Sequence, residues 1–126
     1  MIYKLAADLT AITHLSFILF VLIGAVLGRS SRTWRNLHLI AMAYGVTIEI
    51  FYWDCPLTIL EQYLREKAGA GMYQEPFIQH YVNKIIYLDV PQWSLILAAA
   101  IVLGINLGLY IYWWRRGANR RPRRTL

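Results

Sequence analysis

A mostly apolar run over residues 36–54 is long enough to cross a bilayer, yet it carries His38, Thr47 and Glu49 inside it. An imidazole and a carboxylate at that depth restrict the chain to folds that give both a protein-facing surface. On a helix, His38, Met42, Gly45, Glu49 and Tyr52 follow alternating steps of four and three residues, which puts them on one face. The sequence predicts that this face packs against protein. The run ends at Asp54-Cys55-Pro56-Leu57-Thr58, where proline cannot continue a helix unkinked.

Two further apolar runs flank it. Residues 6–28 form the first, with Thr10, His14, Phe17, Val21, Gly24 and Gly28 on one stripe. Gly24 and Gly28 are a small-xxx-small pair that permits close helix approach. The first run carries only Lys4 ahead of it and has no small-residue cleavage site, so it reads as a retained span and not a signal peptide. Residues 92–114 form the third run, with a similar pair at Gly104 and Gly108 and aromatic residues at both ends.

Between the second and third runs lie two short segments too charged to span. Residues 57–68 place Leu57, Leu60, Leu64 and Ala68 on one side of a helix, with Gln62, Arg65, Glu66 and Lys67 largely opposite. A second short helix is expected over 76–88, starting at Pro76 and containing His80. Such amphipathic pieces are expected to lie in the membrane interface. The expected fold class is therefore all-α and integral to a membrane: three transmembrane helices and two short interfacial helices on the outer side. Residues 1–114 make one transmembrane domain, and residues 115–126 a disordered basic tail.

Apolar residues make up 58% of the 126, above the roughly 45–50% of soluble domains. The net charge of +6 comes from 13 Lys+Arg against 7 Asp+Glu, and six of the arginines lie in residues 115–126. A basic tail beside an apolar span reads as a topology and anionic-lipid signal, so no nucleic-acid partner is expected. Arg29, Arg32 and Arg35 fall on the same side as that tail when the chain crosses three times. The expected location is a bacterial inner membrane, with the N-terminus outside and the C-terminus cytoplasmic.

Counting about 1.5 Å per residue, His14 and Glu49 both sit in the outer half, roughly 12 Å and 6–8 Å below the surface. Asp8, Tyr52, Trp53, Glu61, Arg65 and His80 belong to the same outer half. These residues form the candidate polar cluster, within which His14 and Glu49 are expected to face each other. His38 is at the cytoplasmic end, about 10 Å or more from His14, which argues against two axial ligands on one haem. Cys55 is the only cysteine, so no intrachain disulfide forms. No paired cysteines, His-Glu-x-x-His, phosphate-binding glycine loop or serine elbow is present, so neither metal ligands nor catalytic residues are assigned.

The order Ile48-Glu49, Trp53, Cys55-Pro56-Leu57-Thr58, Leu60-Glu61, Leu64-Arg65, Ala68-Gly69, Tyr73 and Phe77-Ile78-Gln79-His80-Tyr81, with His14 and Leu37-His38 upstream, resembles a bacterial family of small integral membrane proteins catalogued only as a domain of unknown function. The resemblance covers about residues 3–112. Tyr52 stands where that pattern has a small residue, and Glu75-Pro76 where it has a glycine-containing turn. The resemblance supplies no activity. Three readings follow from the residues. The first is a non-catalytic accessory or assembly subunit, partnered by the bilayer and other membrane subunits. The second is a module binding a tetrapyrrole, quinone or lipid through His14. The third is a small membrane enzyme or proton-coupled carrier using His14 and Glu49.

Overall fold

A computed structural model describes residues 1–75 and 77–119. Five helices follow in order: α1 (Ile2–Gly28), α2 (Arg32–Phe51), α3 (Pro56–Lys67), α4 (Phe77–Ile86) and α5 (Gln92–Asn119). No strand occurs among the described residues, so the all-α expectation holds. Pro76, the expected start of the fourth helix, and residues 120–126 of the expected tail lie outside the described residues. Arg115, Arg116 and Gly117, assigned to that tail from the sequence, continue α5.

Two helices, α1 and α5, are long and apolar enough to cross a membrane, where the sequence predicts three. The helix that departs is α2. Its 20 residues include Arg32, Arg35, Asn36, His38 and Glu49, and these dilute the apolar run.

Contacts pair the helices in a consistent register. Residue Phe17 meets Tyr44, and Val21 meets His38, so α1 and α2 form an antiparallel hairpin. Leu22 meets Asn106, and Arg29 sits over the Trp113 ring at 5.6 Å, so α5 runs parallel to α1. The arginine-rich turn between α1 and α2 therefore shares one end of the molecule with the end of α5. Helices α3 and α4 lie toward the opposite end, where Thr58 contacts His14 and Arg65 approaches Asp8.

One polar node joins the three long helices. The His38 side chain is fully buried and bridges two partners. Its Nε2 lies 3.0 Å from the Val21 carbonyl and its Nδ1 lies 2.7 Å from the Tyr110 hydroxyl. A carbonyl only accepts, so Nε2 carries the proton and, in the neutral ring, Tyr110 donates to Nδ1. One turn further in, Asn106 donates to the Leu22 carbonyl at 3.3 Å and to Val102 at 2.8 Å. Glycine makes the node possible. A Cβ on Gly24 would collide with the His38 ring, and one on Gly28 would stand 3.0 Å from the Arg35 Cα. The first glycine pair thus packs as its spacing predicts. Gly104 and Gly108 differ: nothing approaches within 4 Å of their missing side chains.

The short helix α3 buries polar residues against the rest of the fold. Thr58 and Glu61 are its buried residues, while Leu60 is 46% and Ile59 53% exposed. Its pairs with α1, Thr58 with His14 and Arg65 with Asp8, run in opposite order, so α3 packs back along the first turns of α1. Leu57, Gln62, Leu64 and Arg65 are half-buried and Glu66 and Lys67 exposed, so Thr58 and Glu61 alone are fully turned in, toward polar partners. Elsewhere too polar groups are inside: His14, His38 and Asn106 are buried beside Ala7, Ala25 and Met42, whereas Leu9, Ile23, Val26, Ile101 and Ile105 are exposed.

Helix α2 ends earlier than the proline signal implies. Tyr52 adopts φ +54°, and its N–H and that of Trp53 both reach back to Ile48 and Glu49 carbonyls. This left-handed cap is the glycine-favoured closure of a helix.

Gly24→Ala is expected to destabilise the protein by about 1–3 kcal/mol through overpacking, whereas Gly108→Ala leaves stability unchanged or raises it by up to about 1 kcal/mol. Thermal unfolding in detergent compares the two. Tyr52→Gly is expected to gain about 1 kcal/mol in the same assay by relieving the positive φ.

Candidate functional site

Helix α1 presents His14 where α2 ends and α3 begins. The His14 ring is buried, stacks on Phe77 of α4 at 4.1 Å between centroids, and places Nδ1 3.4 Å from the Thr58 hydroxyl. Glu49, on the last turn of α2, faces the same space. A cavity of about 100 Å³ opens there, lined by His14, Glu49, Tyr52, Trp53, Asp54, Thr58 and Gln92 together with Cys55 and neighbouring apolar residues. His14 and Glu49 thus share one cavity, as their depths predict, but no hydrogen bond joins them. The Glu49 Oε1 atom is shut off from solvent and has no hydrogen-bond partner. A buried acceptor left unpaired costs about 1–3 kcal/mol, so this oxygen is a place for a donor that the chain does not itself supply.

Below the polar cavity lies a larger apolar one of about 250 Å³, walled by Leu22, Met42, Val46, Leu95, Ala98 and Val102 among others. The two cavities share Phe17, Ile18, Gly45, Glu49 and Ile78. Gly45 is open at this neck, with Val21 Cγ2 at 4.0 Å the nearest atom to an added Cβ. The arrangement is a small polar chamber continuous with an apolar groove between α1, α2 and α5.

The remaining predicted residues divide into two groups. Tyr52 and Trp53 line the polar chamber yet are largely exposed, so they form its rim. Glu61 and Arg65 belong to a separate network. Glu61 is fully buried and accepts from Arg65 Nε at 2.8 Å, Tyr81 at 3.0 Å and Tyr73 at 2.9 Å. Arg65 also donates to the Tyr81 hydroxyl at 2.9 Å and lies 3.9 Å from Asp8. This carboxylate is satisfied, so it fastens α3 to α4 and to the residue 73 loop, and offers no open coordination to a ligand. Burial alone would lower the Arg65 pKa, but its bonds to Glu61 and Tyr81 outweigh that and hold it charged. Burial, then the neighbouring Glu61, pushes the Tyr73 and Tyr81 phenols up.

His80 stacks on Tyr73 at 3.8 Å and lies 3.4 Å from the exposed Glu75 carboxylate. It is outside the chamber; Phe77 and Ile78 are the α4 residues that line it. His38 has both ring nitrogens engaged at the opposite end, so it supplies no second ligand for a group held at His14. Sequence reasoning did not single out Thr58, Phe77, Tyr73, Tyr81 or Asn106 as site or network residues. Asn106 carried a usable signal, being an amide inside an apolar run.

A phenol whose pKa is raised by folding stabilises the protein while it is neutral. That contribution is present below about pH 10 and is lost as pH climbs through the folded value. Alkaline titration followed by tyrosinate absorbance is therefore expected to show a late phase coincident with loss of structure. Tyr73→Phe removes one late phenol and destabilises the cap by about 1 kcal/mol.

No curated protein and no solved structure matches the chain. A family comparison matches residues 4–115 to the family described as Protein of Unknown function (DUF2784). The match covers the polar chamber, the apolar groove and the Glu61 network alike. The chain thus belongs to the DUF2784 family.

Proposed function

We propose that this chain is a non-catalytic membrane protein that holds an amphiphile, with the head in the His14–Glu49 chamber and the tail in the adjoining groove. The observation that carries the reading is the meeting of a polar cavity and an apolar cavity at Glu49. Binding sites of this kind combine an apolar wall with a few placed polar groups.

Membrane residence is supported by the many large apolar side chains left exposed on α1 and α5 while His14, His38, Glu61 and Asn106 are buried. In this reading α2 is a third crossing. Its 20 residues span about 30 Å, and His38 and Glu49 are turned inward, away from lipid. The arginine-rich turn and the end of α5 then face the cytoplasm of a bacterial inner membrane, and α3 and α4 cap the outer side. A second reading, an accessory or assembly subunit of a larger membrane complex, is favoured by the uncovered Gly104 and Gly108 on α5.

Gly45→Leu fills the neck between the cavities and has room to fold. Extraction of quinones and lipids from purified protein, quantified by mass spectrometry, is expected to find a near-stoichiometric amphiphile in the native chain and at least a tenfold loss in the variant. Equal retention by both overturns the binding reading. In the same mild-detergent preparation, migration as a lone monomer counts against the subunit reading.

A further inference from the structure

The chemistry of the chamber is one-sided. Glu49 and Asp54 are its acidic residues, Gln92 its amide, and among the described residues no lysine or arginine lines it. A phosphate or carboxylate head would meet two carboxylates and no compensating cation, which disfavours anionic lipids. The unpartnered Glu49 Oε1 calls for a hydrogen-bond donor. Phe17, Tyr52, Trp53 and Phe77 supply aromatic walls, and aromatic rings favour offset or edge contact with another ring. Directly beneath, the apolar groove accepts an aliphatic or isoprenoid chain.

We infer that the occupant is a hydroxyl-bearing aromatic amphiphile, a quinol, and that Glu49 selects the reduced quinol over the oxidised quinone. This rests on the amphiphile reading above and names the head group within it. The quinol hydroxyl donates to the Glu49 carboxylate. The quinone offers only carbonyl acceptors, which leave that oxygen unsatisfied and set two acceptors against each other. His14 borders the other side of the chamber, its ring held by Phe77 and its Nδ1 directed at Thr58. Among the described residues no hydrogen bond engages its Nε2, which leaves that nitrogen for the second ring oxygen.

The test uses the full chain in nanodiscs under anaerobic conditions, with decyl-substituted benzoquinol, the matching benzoquinone and 1-decanol as probes. Binding is read from quenching of tryptophan fluorescence, since Trp53 stands at the chamber rim. The native chain is expected to bind quinol about tenfold more tightly than quinone, the factor that one hydrogen bond to a charged group supplies. Decanol, which lacks the ring, is expected to bind more weakly than quinol. Glu49→Gln presents an amide that donates as well as accepts, so the quinol-to-quinone ratio is expected to fall below about threefold. The ratio in the native chain stands as a measurement even if that variant does not fold. Equal binding of quinol and quinone, or decanol as tight as quinol, overturns the inference while Gly45-sensitive binding preserves the amphiphile reading. Absence of any Gly45-sensitive binding overturns both.

Discussion

The arrangement depends on one imidazole set against one missing side chain. His38 occupies the space above Gly24, and its two nitrogens reach the Val21 carbonyl of α1 and the Tyr110 hydroxyl of α5. A single residue of α2 thus fixes the register of both neighbours. Directional bonds are needed for this, because apolar side chains slide past one another at little cost when the surroundings are equally apolar. With that register set, Glu49 arrives three turns later at the level of His14, and the chamber follows as a consequence.

The polarity of the molecule is reversed from that of a water-soluble helical domain. Its buried groups include the Glu61 carboxylate, two imidazoles and an amide, each with a hydrogen-bond partner in the fold, while half-buried Glu49 keeps one oxygen, Oε1, without a partner. Burial of polar groups is tolerated where partners are built in, and the Glu61 network meets that condition with an arginine and two phenols. Glu49 does not. The contrast between the two carboxylates separates structure from site: one is saturated by the chain itself, the other keeps an acceptor in reserve.

Much of this was legible in the sequence. The four-three spacing placed His38, Met42, Gly45 and Glu49 on one inward face, and the Gly24/Gly28 pair marked the close approach. Depth counting brought His14 and Glu49 into the same outer half. Tyr52 was assigned to that face from spacing, but its left-handed backbone ends the helix and throws the side chain outward. For α3, amphipathicity gave two faces without naming partners. Thr58, Glu61 and Arg65 meet His14, Tyr73, Tyr81 and Asp8, none of them near in sequence. Gly104 and Gly108 have the same spacing as the first pair yet meet nothing, since spacing permits close approach without providing a neighbour.

The His38 and Asn106 node also bears on what the groove can do. Val21, Leu22 and Val102 line the groove, and their carbonyls are the ones that His38 and Asn106 engage. The lower wall of the groove is therefore backed by directional bonds between helices, so its width there is set by the node and not by side-chain packing alone.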